Sequence, residues 1–241
     1  MKQVPISLLS VIIPCYNELN TIESIVEEVN NVDLGKTKIE IIIVDDFSND
    51  GTRDKLKNIK NHHNNVKVFY NEKNKGKGAC LKKGFSICKG EAVIVQDADR
   101  EYDPRDYSRL LKLFIEDRAD IVFGSRFQGG NPHRISYISN RIANKFMSSL
   151  SALLNGLYVS DIHTCYIMFR GDWIREKSKQ LRSNRFGFNP EIVAKIAKEK
   201  SVLRICEIGI SYYGRTKREG KKIGFRDGVK ALWEIVVFNL V

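Results

Sequence analysis

The sequence predicts an α/β fold, a mostly parallel, doubly wound sheet flanked by helices. Short β-branched runs recur at residues 8–14, 39–45, 66–70, 92–97 and 120–124. They are almost continuously apolar, as strands covered on both faces must be. Between them lie segments whose apolar residues return every three or four positions, the helical period. Alternation of the two periods is the pattern of βαβ units, which set strands parallel and place helices on the sheet faces.

Taken in order, the first strand closes at Pro14 and leads to a helix carried by Ile22, Ile25, Val26 and Val29; a purely structural loop between them, with an N-cap at Asn20, is one of two readings of that segment. Asp50 or Thr52 is placed to cap the helix after the second strand. Ala79, Leu81, Phe85 and Ile87, then Tyr107, Leu110, Leu111 and Phe114, mark two more helices. The second half is less regular. A Gly-, Asn- and Pro-rich loop at 128–133 enters a long helical segment at 138–154. A strand at 165–169, a helix at 190–200 and a strand at 203–212 follow. Phe225, Val229, Leu232, Trp233, Val236, Val237 and Leu240 form a terminal amphipathic helix, with Lys222, Arg226 and Lys230 near its start. Such a helix suits an anionic membrane surface, its own sheet or a dimer.

The 241 residues suit one domain rather than two. The expected division is a first half at 1–125, a second half at 126–222 and the terminal helix at 223–241. A net charge of +11 points to a polyanionic partner, whether phosphorylated small molecules or lipid headgroups. Nucleic acid is not expected, because zinc-finger spacing, an aromatic-basic RNA signature and a basic tail are all missing. Five irregularly spaced cysteines without a C-x-x-C pair read as reduced thiols of a cytoplasmic protein. The apolar run at 8–13 is too short for a signal core, and no stretch reaches the ~20 apolar residues that cross a bilayer.

In doubly wound sheets ligands bind beyond the carboxyl ends of the strands. Val93-Ile94-Val95-Gln96-Asp97-Ala98-Asp99 ends one strand in two carboxylates around a small residue. Such close carboxylates repel. A hard divalent cation relieves the repulsion and presents a substrate phosphate, and Glu101 stands ready as a third oxygen donor. A solvated turn ahead of Asp103-Pro104 is the plain alternative. Asp45-Asp46 ends a second strand, and either carboxylate could accept hydrogen bonds from a base or ribose. Pro14-Cys15-Tyr16-Asn17-Glu18 ends the first, with Tyr16 to flank a base. Asn74-Lys75-Gly76-Lys77-Gly78-Ala79 is a glycine-bearing helix entrance whose N–H groups and lysines could approach an anion.

In this order, Val11 to Glu18, Val44-Asp45-Asp46, Asn74 to Ala79 and Gln96 to Asp99 resemble the inverting family-two glycosyltransferases of the GT-A fold. In detail they are most similar to polyprenyl-phosphate sugar synthases of the dolichol-phosphate mannose synthase type. The resemblance implies transfer of a sugar from a GDP- or UDP-linked donor to a dolichyl or undecaprenyl phosphate, with Mg²⁺ or Mn²⁺ as cofactor. Pro14, Tyr16, Glu18, Val44 and Asp45 or Asp46 would line the nucleoside pocket, with Lys75, Gly76 and Ala98 also on the donor. Asp97, Asp99 and Glu101 would hold the metal, Glu101 standing where relatives often carry Gln. Arg100 replaces a commonly apolar residue.

On the acceptor side, Arg126, Arg134 and Arg141 resemble the arginines placed on the lipid phosphate, work that suits a forked, always-charged guanidinium. Asp161-Ile162-His163-Thr164-Cys165-Tyr166 departs from the family pattern at His163 and Cys165, and His163 reads as a packed loop residue. Glu191 complements the dipole of its own helix. Arg215 and Lys221, six residues apart, match the pair that closes over the donor phosphates. The implied catalytic set is Asp99, Arg126, Arg215 and Lys221, working at the cytoplasmic face of a membrane, with a homodimer or a partner membrane protein possible. Two other readings fit the same sequence: a transferase extending a cell-surface polysaccharide through a hydroxyl acceptor, and a non-catalytic nucleotide-binding subunit.

Overall fold

The computed structural model describes residues 5–129, 134, 138–216 and 225–240, without the side chains of 225–227 and 240. The chain begins β1 (Leu8–Cys15), α1 (Ile22–Asn30), β2 (Lys38–Asp45), α2 (Thr52–His62), β3 (Val66–Tyr70), α3 (Lys77–Ile87) and β4 (Ala92–Val95). It continues α4 (Tyr107–Ile115), β5 (Ile121–Ser125), α5 (Ile138–Asn155), β6 (Ile167–Arg170), α6 (Gly171–Ser178), α7 (Phe188–Lys198), β7 (Ile205–Gly209) and α8 (Phe225–Leu240).

These strands form a seven-stranded sheet in the order β3-β2-β1-β4-β6-β5-β7. Only β6 runs against its neighbours, pairing antiparallel with β4 and β5. The alternating pleat divides the core. Val11, Ile13, Ile41 and Ile43 face α1 and α4, where Ile22, Ile25, Leu110 and Phe114 meet them. Ile12, Ile42, Val93 and Val95 face the other way, onto Leu81 and Phe85 of α3 and Ile192 and Ile196 of α7. Both faces are dry, which is why the strands read as unbroken apolar runs.

Several boundaries differ from the sequence expectation. The strand expected to reach 97 ends at Val95, so Gln96 and Asp97 leave the ladder. Thr21, not Asn20, precedes α1. Asp50 accepts from the Thr52 backbone N–H at 3.0 Å and Gly51 takes the left-handed backbone at φ 96°. α6 was not expected. α7 starts at Phe188, with Pro190 inside the first turn, where its missing N–H costs nothing. α8 packs on α5 and α7 with Ala231 and Ile235 buried, while Val229 and Trp233 stay exposed.

The register sets the strand ends level: Cys15 lies opposite Asp45, which lies opposite Tyr70. α3 can lie this close to β1 because Gly84 has no side chain; a Cβ there would meet Ile12 Cγ2 at 2.3 Å. Gly84→Ala is therefore expected to destabilise the fold by about 1–3 kcal/mol, measured by urea denaturation. A loss under about 0.5 kcal/mol would show that the contact relaxes freely.

Candidate active site

The β1 and β2 exits are laced together. Asn17, with φ 52°, donates its N–H to Ser48 Oγ at 2.9 Å and accepts from the Asn49 N–H at 2.9 Å. The Glu18 N–H donates to Thr52 Oγ1 at 3.0 Å. Asp45 is fully buried; its Oδ2 accepts from Arg53 Nε at 2.9 Å, while its Oδ1 has no hydrogen-bond partner among the described residues. The Arg53 guanidinium lies over the rings of Phe47 and Tyr70, 5.3 and 5.1 Å from their centroids. Tyr16 and Phe47 remain exposed. Between the two acidic candidates of this strand end, Asp45 keeps an open acceptor.

Asp46 does not. Its Oδ1 accepts from Asn71 Nδ2 and the Lys75 N–H at 2.9 and 2.8 Å, and its Oδ2 accepts from the Gly76 N–H at 2.7 Å. The expected anion-binding donors of Lys75 and Gly76 are thus spent on a carboxylate of the protein itself. Gly76 has φ 93°, and a Cβ on it would lie 2.5 Å from the Asn184 carbonyl. The loop is packed against 183–185 and shaped by that contact.

The third strand end gathers charge. Lys77 Nζ donates to Asp97 Oδ1 at 2.5 Å and to Cys165 Sγ at 2.8 Å. Burial opposes the Lys77 charge, yet Asp97 holds its pKa above the usual lysine value. Burial and Asp97 push the Cys165 thiol up to about 12, which keeps it protonated. Arg215 Nη2 donates to Asp99 Oδ2 at 2.9 Å, and its fork meets Glu18 Oε2 and Oε1 at 3.2 and 3.3 Å. Burial, then Asp97 and Glu101, push the Asp99 carboxyl up to about 7 despite that guanidinium.

Glu101 departs from the expected role of third metal ligand. Its Oε1 accepts from the Arg215 N–H and its Oε2 from the Tyr212 hydroxyl, both at 2.7 Å. Among the described residues no group of three or more His, Cys, Asp or Glu is arranged to hold a metal ion. Asp97 and Asp99 still fit a hard divalent cation of the kind held by one or two carboxylates and substrate phosphates. Asp99 also lies close enough to Asp97 and Glu101 for their charges to add to burial in raising its pKa, with Arg215 opposing them. Arg100 takes the left-handed backbone at φ 61° and pairs with Glu28 of α1.

Sequence reasoning missed what holds this turn. The Tyr107 and Tyr166 hydroxyls both donate to Gln96 Oε1 at 2.6 Å, and Gln96 Nε2 donates to the Asp97 carbonyl at 3.0 Å. Gln96 stood inside the quoted motif, and a polar residue ending an apolar strand was the available signal. The two tyrosines lay in helix and strand patterns that read as core.

On the acceptor side, Arg126 closes both prongs on Asp161, Nε to Oδ2 and Nη2 to Oδ1, each at 2.7 Å. Arg126 and Arg141 flank the Phe127 ring at 5.5 and 5.9 Å. Arg134 donates its N–H to the Tyr212 carbonyl at 2.8 Å. His163 is packed against Met147, and burial, then Arg126, lowers its pKa to about 4 from 6.5. Glu191 accepts from the N–H groups of Arg182 and Ser183, both at 2.7 Å, and so fixes the loop ahead of its helix. Lys221 lies outside the described residues.

With the site assembled from the ends of β1, β2 and β4, residues 10–176 match the family described as Glycosyl transferase family 2. The chain belongs to that family. A relative of this glycosyltransferase is the UDP-N-acetylglucosamine–dolichyl-phosphate N-acetylglucosaminyltransferase of Methanococcus voltae, 29% identical over 91% of this chain and 92% of its own length. The dolichol-phosphate mannosyltransferase of Pyrococcus furiosus is 30% identical over 89% of this chain, which spans 60% of that relative. Glucosyl-3-phosphoglycerate synthase from Mycobacterium tuberculosis, solved with Mn²⁺, UDP and phosphoglyceric acid, superposes with a TM-score of 0.70. At 16% identity over 97% of this chain and 78% of that one, it establishes the GT-A fold alone.

Two measurements check the acceptor-side geometry. Asp161→Ala leaves the Arg126 charge unpaired and is expected to cost about 3 kcal/mol in urea denaturation; an unchanged midpoint would show the fork is dispensable. The unfolded chain takes up a proton on His163 near its ordinary value, whereas the folded chain resists until about pH 4. Stability therefore falls as pH drops through that window. Acidification from neutral to about pH 5 should cost the wild type about 2 kcal/mol more than His163→Gln, and equal losses would refute the buried neutral ring.

Proposed function

We propose that this glycosyltransferase moves a sugar, with inversion, from a GDP- or UDP-linked donor to a polyprenyl phosphate at the cytoplasmic face of a membrane. The acceptor class rests on one observation: Asp161, the carboxylate beside Arg126, is locked in a bidentate pair. A hydroxyl acceptor needs a carboxylate free to take its proton. A phosphate acceptor is already anionic and needs only positive charge, which Arg134 and Arg141 would supply, with Arg126 contributing only as far as its fork leaves Asp161. The two relatives support this reading, since their names share a dolichol phosphate and differ in the sugar.

On the donor side, residues 1–125 would bind the nucleotide-sugar. Tyr16 would flank the base, and the open Asp45 Oδ1 would accept from the nucleoside. Asp97 and Asp99 would hold Mg²⁺ or Mn²⁺, which supplies charge stabilisation for the departing diphosphate. Arg215, which now holds Glu18 and Asp99, would meet the same phosphates, and Lys221 is proposed for the same role. Lys77 anchors Asp97 through its hydrogen bond, and the Gln96–tyrosine network holds the turn that carries both carboxylates.

The test mixes purified protein with a panel of nucleotide-sugars, Mn²⁺ and a short polyprenyl phosphate. A lipid-linked sugar from one donor is expected. Transfer only to a saccharide, or metal-dependent nucleotide binding without turnover, would overturn the acceptor or the activity respectively. Asp99→Ala should lower kcat/KM on the order of 10³-fold while leaving the urea midpoint nearly unchanged.

A further inference from the structure

α5 is apolar on its outer side as well as on the inner one, where Met147, Leu150 and Leu154 pack against the core. Its buried residues are Asn144, Ser148 and Ser151, whereas Ile138, Ile142, Phe146 and Leu153 are 75%, 62%, 60% and 83% exposed. At the helical period these four fall within an arc of about 80°. Hydrogen bonds hold the helix in this rotation. Asn144 Nδ2 and Ser148 Oγ donate to the Ser160 carbonyl at 3.1 and 3.3 Å, and Ser148 Oγ accepts from the Ile162 N–H at 3.2 Å. A helix adapted to water on that side would show the reverse pattern, and exposed apolar faces of this kind mark contact surfaces.

The charges identify the occupant. Across its 18 residues α5 carries no Asp or Glu; its charged residues are Arg141 and Lys145, both exposed and on one flank of the apolar arc. A symmetric pairing with a second copy would set this acid-free basic face against itself. An anionic bilayer offers the complementary charge and accepts the apolar arc. Neighbouring α8 adds Val229 and Trp233, 55% and 69% exposed and one turn apart, and Trp favours the membrane–water boundary. Among the described residues no helix is long and apolar enough to cross a membrane.

We infer that the Ile138–Ile142–Phe146–Leu153 face of α5 docks this protein on an anionic lipid surface, lying in the headgroup plane. The inference deepens the polyprenyl-phosphate reading and rests on it for its purpose. The Arg126–Phe127–Arg141 stack joins this face to the acceptor side of the site.

The experiment is flotation with vesicles of phosphatidylcholine alone or mixed with phosphatidylglycerol, neither containing polyprenyl phosphate. The chain should float with the anionic vesicles at least about tenfold better than with the neutral ones, and less at high salt. Phe146→Glu and Leu153→Glu should each weaken that binding about tenfold, Lys145→Glu should weaken it too, and Phe146→Leu should retain it. Circular dichroism confirms folding of each variant. Absence of flotation, or flotation untouched by the glutamate variants, overturns the inference. So does a dimer in sedimentation that Phe146→Glu splits. If docking fails while transfer to a short polyprenyl phosphate persists, the surface is wrong and the activity stands; docking without transfer to any donor–acceptor pair gives the opposite result.

Discussion

Four carboxylates converge where β1 and β4 end, and much of the structure beyond the sheet brings positive charge to them. Glu18, Asp97, Asp99 and Glu101 all have side chains less than a fifth exposed. At such burial their mutual repulsion is screened little by water. Lys77 answers Asp97 from the start of α3, and Arg215 answers the other three from far along the chain. Among the described residues, two cations thus face these four carboxylates.

The antiparallel strand makes the convergence possible. β6 inserts between β4 and β5, so the segment entering it runs beside the β4 exit. That brings Tyr166 onto Gln96, Cys165 onto Lys77, and Asp161 onto Arg126. Stacking of Tyr102 on Tyr166 at 4.8 Å, and the bridge from Tyr102 to Tyr212, then tie the segment bearing Arg215 to the same turn. The aromatic cluster therefore links the turn after β4 to the segments that carry Asp161 and Arg215. Polar tips on these rings are buried and hydrogen-bonded, and such satisfied networks hold one geometry.

The two basic loops turned out differently from their charge patterns. Lys75 and Gly76 looked like an anion cradle, but Asp46 had already taken their donors. Local spacing cannot reveal a carboxylate arriving from another strand. Arg126 looked free for a phosphate, yet it forks onto Asp161. Arg215 looked like a phosphate clamp, and it rests on Glu18, Asp99 and Glu101.

By itself the sequence determined the alternation of strands and helices, the four strand-end motifs and the family they belong to. Those features follow from periodicity and short-range residue order. Strand order, the antiparallel β6, the choice of Asp45 over Asp46 as the open acceptor and the outward turn of α5 were decided only by tertiary structure. Each depends on a partner distant in the chain: Lys75 and Gly76 for Asp46, Ser160 for the polar side of α5. Hydrogen bonds between such distant groups carry no period, so a hydrophobic pattern that marks α5 as a helix says nothing of which face it turns outward.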